Sequence, residues 1–344
     1  MSGDKKEIRL PKLVSMDEVE EKEAEWLIPQ YIPKGNITLL AGDGGAGKTT
    51  IWCGIAAAVS SGGRAFFDPT PEEFVKSEPQ KVLFFSSEDS IEHTLKMRLR
   101  KAGAKLSNIL SVSLQDEIFS EIKFDSLILE RLIDKTRPAL VIFDPIQSFI
   151  PPSVQMGQRN AMRNCLNPLI GWGEKYGCTF LIVLHTNKRA GVFGRNRIAD
   201  SADIWDIARS ALIAGQTNNG KRYLSHEKSN YGELERTAIF DIDDCVAVFG
   251  EYSDKKDRDF VQARDFDARQ APQRQDAEQF ICDFLNNGKK PTAELDEAAK
   301  AAGISNATLR RAKEQLRSKN LLGFKSEGNG KNKVFYSFLL ESLS

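Results

Sequence analysis

The chain is short of cysteine and histidine, carries no charge excess and has no long apolar run. Its five cysteines (Cys53, Cys165, Cys178, Cys245, Cys282) are odd in number and widely spaced, with no C-x-x-C pair. That excludes a disulfide framework and a structural zinc site and suits a reducing cytoplasm. The start, MSGDKKEIRL, lacks the apolar centre of a signal peptide, and no stretch reaches membrane-spanning length. A cytoplasmic protein without a membrane partner is expected. Lys+Arg and Asp+Glu both total 48, so only the distribution of charge can argue for or against nucleic acid. His93 and His226 have no partners at ligand spacing and carry no functional expectation.

What is present is an ordinary globular composition, with 344 residues to fill one large domain and one small one. The organising stretch is Ile37 to Thr50, ITLLAGDGGAGKTT, which fits G-x-x-x-x-G-K-[ST] with Gly42, Gly47, Lys48 and Thr49 in register. An apolar run precedes it and a small-residue helix follows. Gly42, Asp43, Gly44, Gly45, Ala46, Gly47, Lys48, Thr49 and Thr50 therefore form an expected phosphate cradle of backbone N–H groups at a helix N-terminus. Lys48 adds a point charge on the phosphates and the Thr49 hydroxyl a ligand for Mg²⁺, so ATP with Mg²⁺ is the expected occupant.

Three further apolar runs end in polar residues. Val82 to Phe85 leads to Glu88, Ala139 to Phe143 to Asp144, and Thr179 to Leu184 to His185. Helical stretches separate them: 91–102, 127–136 ahead of Pro138, and 161–176, the last expected to break at Pro168. Alternation of this kind predicts an α/β fold, a mostly parallel twisted sheet with helices on both faces and chemistry at the carboxyl ends of the strands. Ser15 to Trp26 reads as a short helix ending an N-terminal tail (1–25), and Trp26 to Gly35, with two prolines, as an irregular lead-in. From Ala211 to Phe249 short strands predict antiparallel edge hairpins, closing a domain over 26–250. Residues 251–275 are dense in charge and poor in aliphatics and read as a linker or mobile arm.

Asp144 is placed as a Mg²⁺-holding acid. Hydrolysis also needs a base for the attacking water; Glu88 fills that role best, with Asp89 as its rival. His185 is placed to sense the γ-phosphate or to relay its state to a neighbouring loop. GDGGAGKTT, FFSSEDS, LVIFDP and LIVLHTNK, in that order, resemble the RecA-type ATPase core, and among its members the hexameric RepA helicases of plasmids and related phage and mobile-element ATPases. DIWDIARSAL and HEKSNYG extend the likeness to residues 26 to 250. The resemblance implies that Glu88 is the catalytic base and His185 the phosphate sensor. It further implies that Arg209 is a finger supplied to the adjacent subunit's ATP, and that Lys228 is a second cation inserted in trans. Asn230 stands where many such motors have an arginine, which leaves Arg209 as the main finger.

Two basic regions predict nucleic-acid contact. Thr186 to Arg197 contains Lys188, Arg189, Arg195 and Arg197 with no acid, directly after His185, as a pore loop for single-stranded DNA would; Phe149 to Arg163 is the other candidate loop. Residues 276–344 read helix, helix, helix, hairpin, the order of a winged helix-turn-helix, with Arg310, Arg311 and Lys313 on the third helix facing duplex DNA. The expected whole is a ring-forming homo-oligomer, a DNA helicase of a plasmid, phage or integrative element, with a primase or initiator as further partner. The competing expectation is an ATP-switched DNA-binding or loading factor without unwinding.

Overall fold

The computed structural model describes residues 13–68, 77–155, 160–187, 192–198, 202–328 and 333–340, with backbone alone over 267–274. It divides into two units: the first runs to Asp257, and the second is made of Arg258 onward together with two short segments, Arg189–Phe193 and Thr217–Gly220. Among the described residues no helix is long and apolar enough to cross a membrane.

The first unit opens with a two-stranded ribbon, β1 (Trp26–Ile28) and β2 (Ile32–Pro33), where the prolines forbid one longer element. In place of the expected helix over Ser15–Trp26 there is one 3₁₀ turn, Met16–Glu18, with no buried residue to anchor more. The central strands are β3 (Ile37–Gly42), β4 (Val82–Ser86), β5 (Ile109–Ser111), β6 (Leu140–Asp144), β7 (Thr179–His185), β8 (Ser210–Gln216), β9 (Arg222–Ser229), β10 (Thr237–Asp243) and β11 (Val246–Ser253). They form one nine-stranded sheet in the order β11-β10-β9-β8-β3-β7-β6-β4-β5. The run β8-β3-β7-β6-β4-β5 is parallel, and β9, β10 and β11 are antiparallel additions. The strand over Ser210–Gln216 thus corrects one expectation: it is a parallel member beside the phosphate-loop strand, and the hairpins begin after it.

Strand side chains alternate between the two faces, and each face has its own core. Leu39, Val141, Phe143 and Ile182 pack on one side with α3 (Leu127–Thr136) and α4 (Ala161–Tyr176). Leu40, Phe84, Ile142 and Val183 pack on the other with α1 (Lys48–Ser61) and α2 (Lys96–Lys101). Burial on both faces is why the parallel strands read as continuous apolar runs. Helix α4 runs unbroken through Pro168, because Met162, Leu166, Leu169 and Trp172 are buried on both sides of it. A short α5 (Ala202–Ile207) leads into β8.

The charge-dense stretch read as a linker is ordered. Strand β11 continues to Ser253 and a 29-residue helix, α6, spans Asp257–Leu285. Charges of both signs are interspersed there, which a solvated helix tolerates. Its C-terminal end supplies Ala277, Ile281 and Leu285 to the core of the second unit. That unit adds β12 (Lys290–Pro291), α7 (Thr292–Ala301), α8 (Asn306–Ser318) and the hairpin β13 (Leu322–Glu327) and β14 (Val334–Leu339), with β12 on the edge of β14. Ser305 caps α8, its hydroxyl accepting the Thr308 N–H at 3.2 Å. This order of helices and hairpin is compatible with the winged-helix arrangement.

Candidate active site

Sheet register assembles the site. Gly42 lies beside His185 in the β3–β7 pairing, and Ser86 beside Asp144 in the β4–β6 pairing. The residues that follow or end these strands therefore meet at one edge. Gly42 itself touches β8, where a Cβ would sit 2.6 Å from the Ala214 carbonyl oxygen. The loop closes at Gly47, left-handed at φ +91°, as N-cap of α1. Having no side chain, Gly47 offers no side-chain cap to the first turn of α1, whose residues Lys48, Thr49 and Thr50 line the cleft, so their N–H groups suit an anion.

The cleft has a volume of about 450 Å³ and is lined by the loop glycines, Lys48, Thr49, Thr50, Glu88, Arg98, Asp144, His185, Ile242 and Cys245. Lys48 Nζ donates to the carbonyls of Gly42 (2.9 Å) and Asp43 (3.0 Å) and lies 3.3 Å from His185 Nδ1. His185 Nε2 is 3.5 Å from Glu88 Oε1. A Lys48–His185–Glu88 line thus crosses the cleft. Asp89 is held by Arg98 Nη1 at 3.3 Å, and of the two rival acids it is Glu88 that lines the cleft. The Trp52 indole donates to Asp144 Oδ2 at 2.7 Å and fixes that carboxylate.

Electrostatics at this edge call for a ligand. Burial pushes the Asp144 carboxyl up, against the Trp52 bond, with Glu88 and Asp89 adding to the rise. Burial pushes Lys48 down, while Asp144, Asp43 and Glu88 oppose it. A buried carboxylate held by one indole and crowded by other acids is stabilised in its charged form by a cation. Thr49 and Asp144 therefore fit a hard divalent ion that takes its remaining ligands from phosphate and water. Among the described residues no cluster of three or more metal-ligating side chains exists that would cage an ion by itself.

Other anticipated residues lie elsewhere. Arg209 joins α5 to β8, its N–H bonded to the Ile37 carbonyl at 2.9 Å. Lys228 Nζ caps the end of α5, donating to the carbonyls of Trp205 (2.8 Å) and Asp206 (3.4 Å). Burial lowers the Lys228 pKa; Asp206 opposes this while Arg209 and Arg195 add to it. Arg195 pairs with Asp206 at 2.9 Å, so Arg195, Arg209 and Lys228 form a cationic group around one acid. None of the three lines the cleft of its own chain among the described residues.

Arg197 is not the exposed pore cation anticipated for it. It is 2% exposed, pairing with Asp43 at 2.8 Å and with Asp257. Lys188 and Arg189 lie outside the described residues. In the second candidate loop Phe149 is wholly buried in the core. In the second unit Lys313, anticipated as a DNA contact, pairs with Asp296 and its side chain is 15% exposed. Arg310 is open, 3.8 Å from Glu314, and Arg311 lies over the Phe266 ring at 5.8 Å. His226 is fully buried, accepting the Glu235 N–H at 3.1 Å, and serves the fold. Sequence reasoning missed Arg98, Trp52, Ile242 and Cys245. Only Arg98, within an otherwise apolar-spaced helix just after Glu88, carried a local signal.

A phosphate loop, a histidine ending the neighbouring parallel strand and an acid ending the next define a RecA-like P-loop nucleotide-binding fold. The family described as AAA domain matches residues 5–191, and the chain belongs to it. The DNA repair protein RadA of Halalkalibacterium halodurans is 24% identical over 224 residues, covering 64% of this chain and 42% of that protein. RadA of Listeria monocytogenes is 22% identical over 237 residues, covering 66% and 45%. The chain spans less than half the length of these curated relatives. A KaiC-like protein from Pyrococcus horikoshii is a structural neighbour at 17% identity and TM-score 0.44, covering 67% of this chain and 99% of that one.

Proposed function

We propose that this protein is an ATPase that works on DNA as a ring-forming motor, of the kind that drives replication of a plasmid, phage or integrative element. The convergence of the phosphate loop, Asp144, Glu88 and His185 in one cleft carries the reading. The RadA relatives, named as DNA repair proteins, support a DNA-linked role.

Thr49 and Asp144 would hold Mg²⁺, which would supply charge neutralisation to the phosphates. Lys48 and the first-turn N–H groups of α1 hold the phosphates. Glu88 orients the attacking water and takes its proton. His185, in contact range of both Lys48 and Glu88, registers whether the γ-phosphate is present. Arg209 completes the site of an adjacent subunit, with Lys228 beside it; their absence from their own chain's cleft supports a role in trans. Arg195 and the loop before it contact single-stranded DNA, and Arg310 and Arg311 contact duplex DNA. A primase or initiator of the same element is the further partner.

Strand displacement on forked DNA with ATP, measured together with DNA stimulation of hydrolysis, tests the reading. Displacement with stimulated hydrolysis supports the motor. Stimulated hydrolysis without displacement supports an ATP-switched loading factor, and hydrolysis indifferent to DNA removes both.

A further inference from the structure

A carboxylate inside a phosphate-binding loop is electrostatically adverse, since the ligand is itself a polyanion. Asp43 is such a residue, set between Gly42 and Gly44. Its side chain turns from the cleft to Arg197 Nη2 at 2.8 Å and takes a hydrogen bond from the Thr186 hydroxyl. Thr186 directly follows His185 at the end of β7, so this contact joins the phosphate loop to the strand end that carries the sensor candidate. Arg197 also lies 3.4 Å from the Thr186 hydroxyl.

The other half of the Arg197 guanidinium pairs with Asp257, which is wholly buried. Asp257 is the first residue of α6, the helix that continues as the opening element of the second unit. Further bonds fix it: the Tyr223 hydroxyl donates at 2.9 Å and the Gly194 N–H at 2.9 Å, while its own N–H reaches Glu227 Oε1 at 2.9 Å. One buried cation thus stands between a carboxylate of the phosphate loop and a carboxylate at the head of a long helix. Removing one member of such a group leaves an uncompensated buried charge.

We propose that Arg197 is a positioning residue that neutralises phosphate-loop Asp43 and couples the loop to the start of α6, so that nucleotide at the loop changes how firmly α6 is held. The coupling rests on the nucleotide-binding reading. Without Arg197 the Asp43 charge faces the phosphates, and the same guanidinium no longer holds Asp257. With phosphates bound, Asp43 is driven more firmly onto Arg197, and the group around Asp257 tightens.

The test is a double-mutant cycle read by ATP affinity and by amide exchange in the first turns of α6. Arg197→Met should weaken ATP binding by about tenfold or more, because a like charge returns to the loop. Asp43→Asn in the same chain should recover most of that loss, since the offending charge is gone. Arg197→Lys, which keeps a buried cation but loses the fork, serves the same cycle if the Met variant does not fold. Asp257→Asn should keep ATP affinity within about threefold while abolishing the slowing of α6 exchange that nucleotide causes in the unsubstituted protein. No recovery by Asp43→Asn, or α6 exchange indifferent to nucleotide in the unsubstituted protein, overturns the proposal. If the protein binds no nucleotide, the ATPase reading fails by itself. The tie is then read from exchange without ligand: Asp257→Asn must still speed α6 exchange, and unchanged exchange overturns it.

Discussion

The two units handle charge in opposite ways. In the first, Lys48, Asp144, Glu88 and His185 line one cleft at the sheet edge, and burial shifts Lys48 and Asp144 against their ionised forms. In the second, cations and acids satisfy one another: Lys313 with Asp296, Lys319 with Glu278, Lys289 with Glu327. An edge left electrostatically incomplete is built for a ligand. A surface whose charges are already paired must give up those pairs before it can bind a polyanion, so only its loosely held cations are available.

The sharpest way to break this contrast is to take charge from the first unit's incomplete site. Arg209→Ala should leave ATP affinity largely intact and cut hydrolysis by about 10³–10⁵, the usual worth of an arginine finger. Mixing it with an inactive Lys48→Ala chain should restore part of the turnover at hybrid interfaces. No restoration at any ratio, in mixtures shown to co-assemble, refutes action in trans. Glu88→Gln should retain ATP and Mg²⁺ and lose about 10²–10⁴ in turnover, the range of a general base. Near-normal turnover would move the role to Asp89, which would then have to leave Arg98.

How far these assignments were legible follows from the range of the interactions involved. Glu88, Asp144 and His185 could be named because each ends or follows a local apolar run, and parallel strands deliver such ends to one edge. The partners of Arg197 could not be named. A basic residue in a glycine-bearing loop looks exposed in sequence, and its acids, Asp43 and Asp257, come from distant parts of the chain. The Trp52–Asp144 bond was hidden for the same reason. Lys313 looked like one of a basic series on α8, and only the packing of α7 against α8 shows that Asp296 already holds it. Helix α6 was missed because its charge density resembles that of a mobile arm, while the burial that anchors it lies at Val261 and near its far end.

Acid should separate the units by stability. Burial, with nearby Lys256 adding to it and a backbone hydrogen bond opposing, holds the His226 pKa down at about 4 against an ordinary 6.5. The unfolded chain therefore binds the proton more readily. Stability present above pH 6.5 is lost as pH falls towards 4. Between pH 7 and pH 5 the first unit should lose about 2 kcal/mol by this route. Residues 258–344 contain no histidine, so the second unit has no such loss in that window. Site-resolved urea or exchange measurements at the two pH values check this, and equal losses in both units would rule His226 out as the cause.

The smallest effect probes the second unit's paired surface. Arg310 is 74% exposed and its contact with Glu314, at 3.8 Å, is loose, so a phosphate can take it at little cost. Lys313 would first have to leave Asp296. If the unit binds duplex DNA, Arg310→Ala should lower the slope of log K against log salt by about 0.9, one phosphate contact on a duplex. Lys313→Met should leave that slope unchanged and instead lower thermal stability, because Asp296 is stranded. Equal slope changes for the two variants would show that the Lys313–Asp296 pair opens on the DNA. An unchanged slope for both would mean that neither residue meets a phosphate and that α8 presents some other face to its partner.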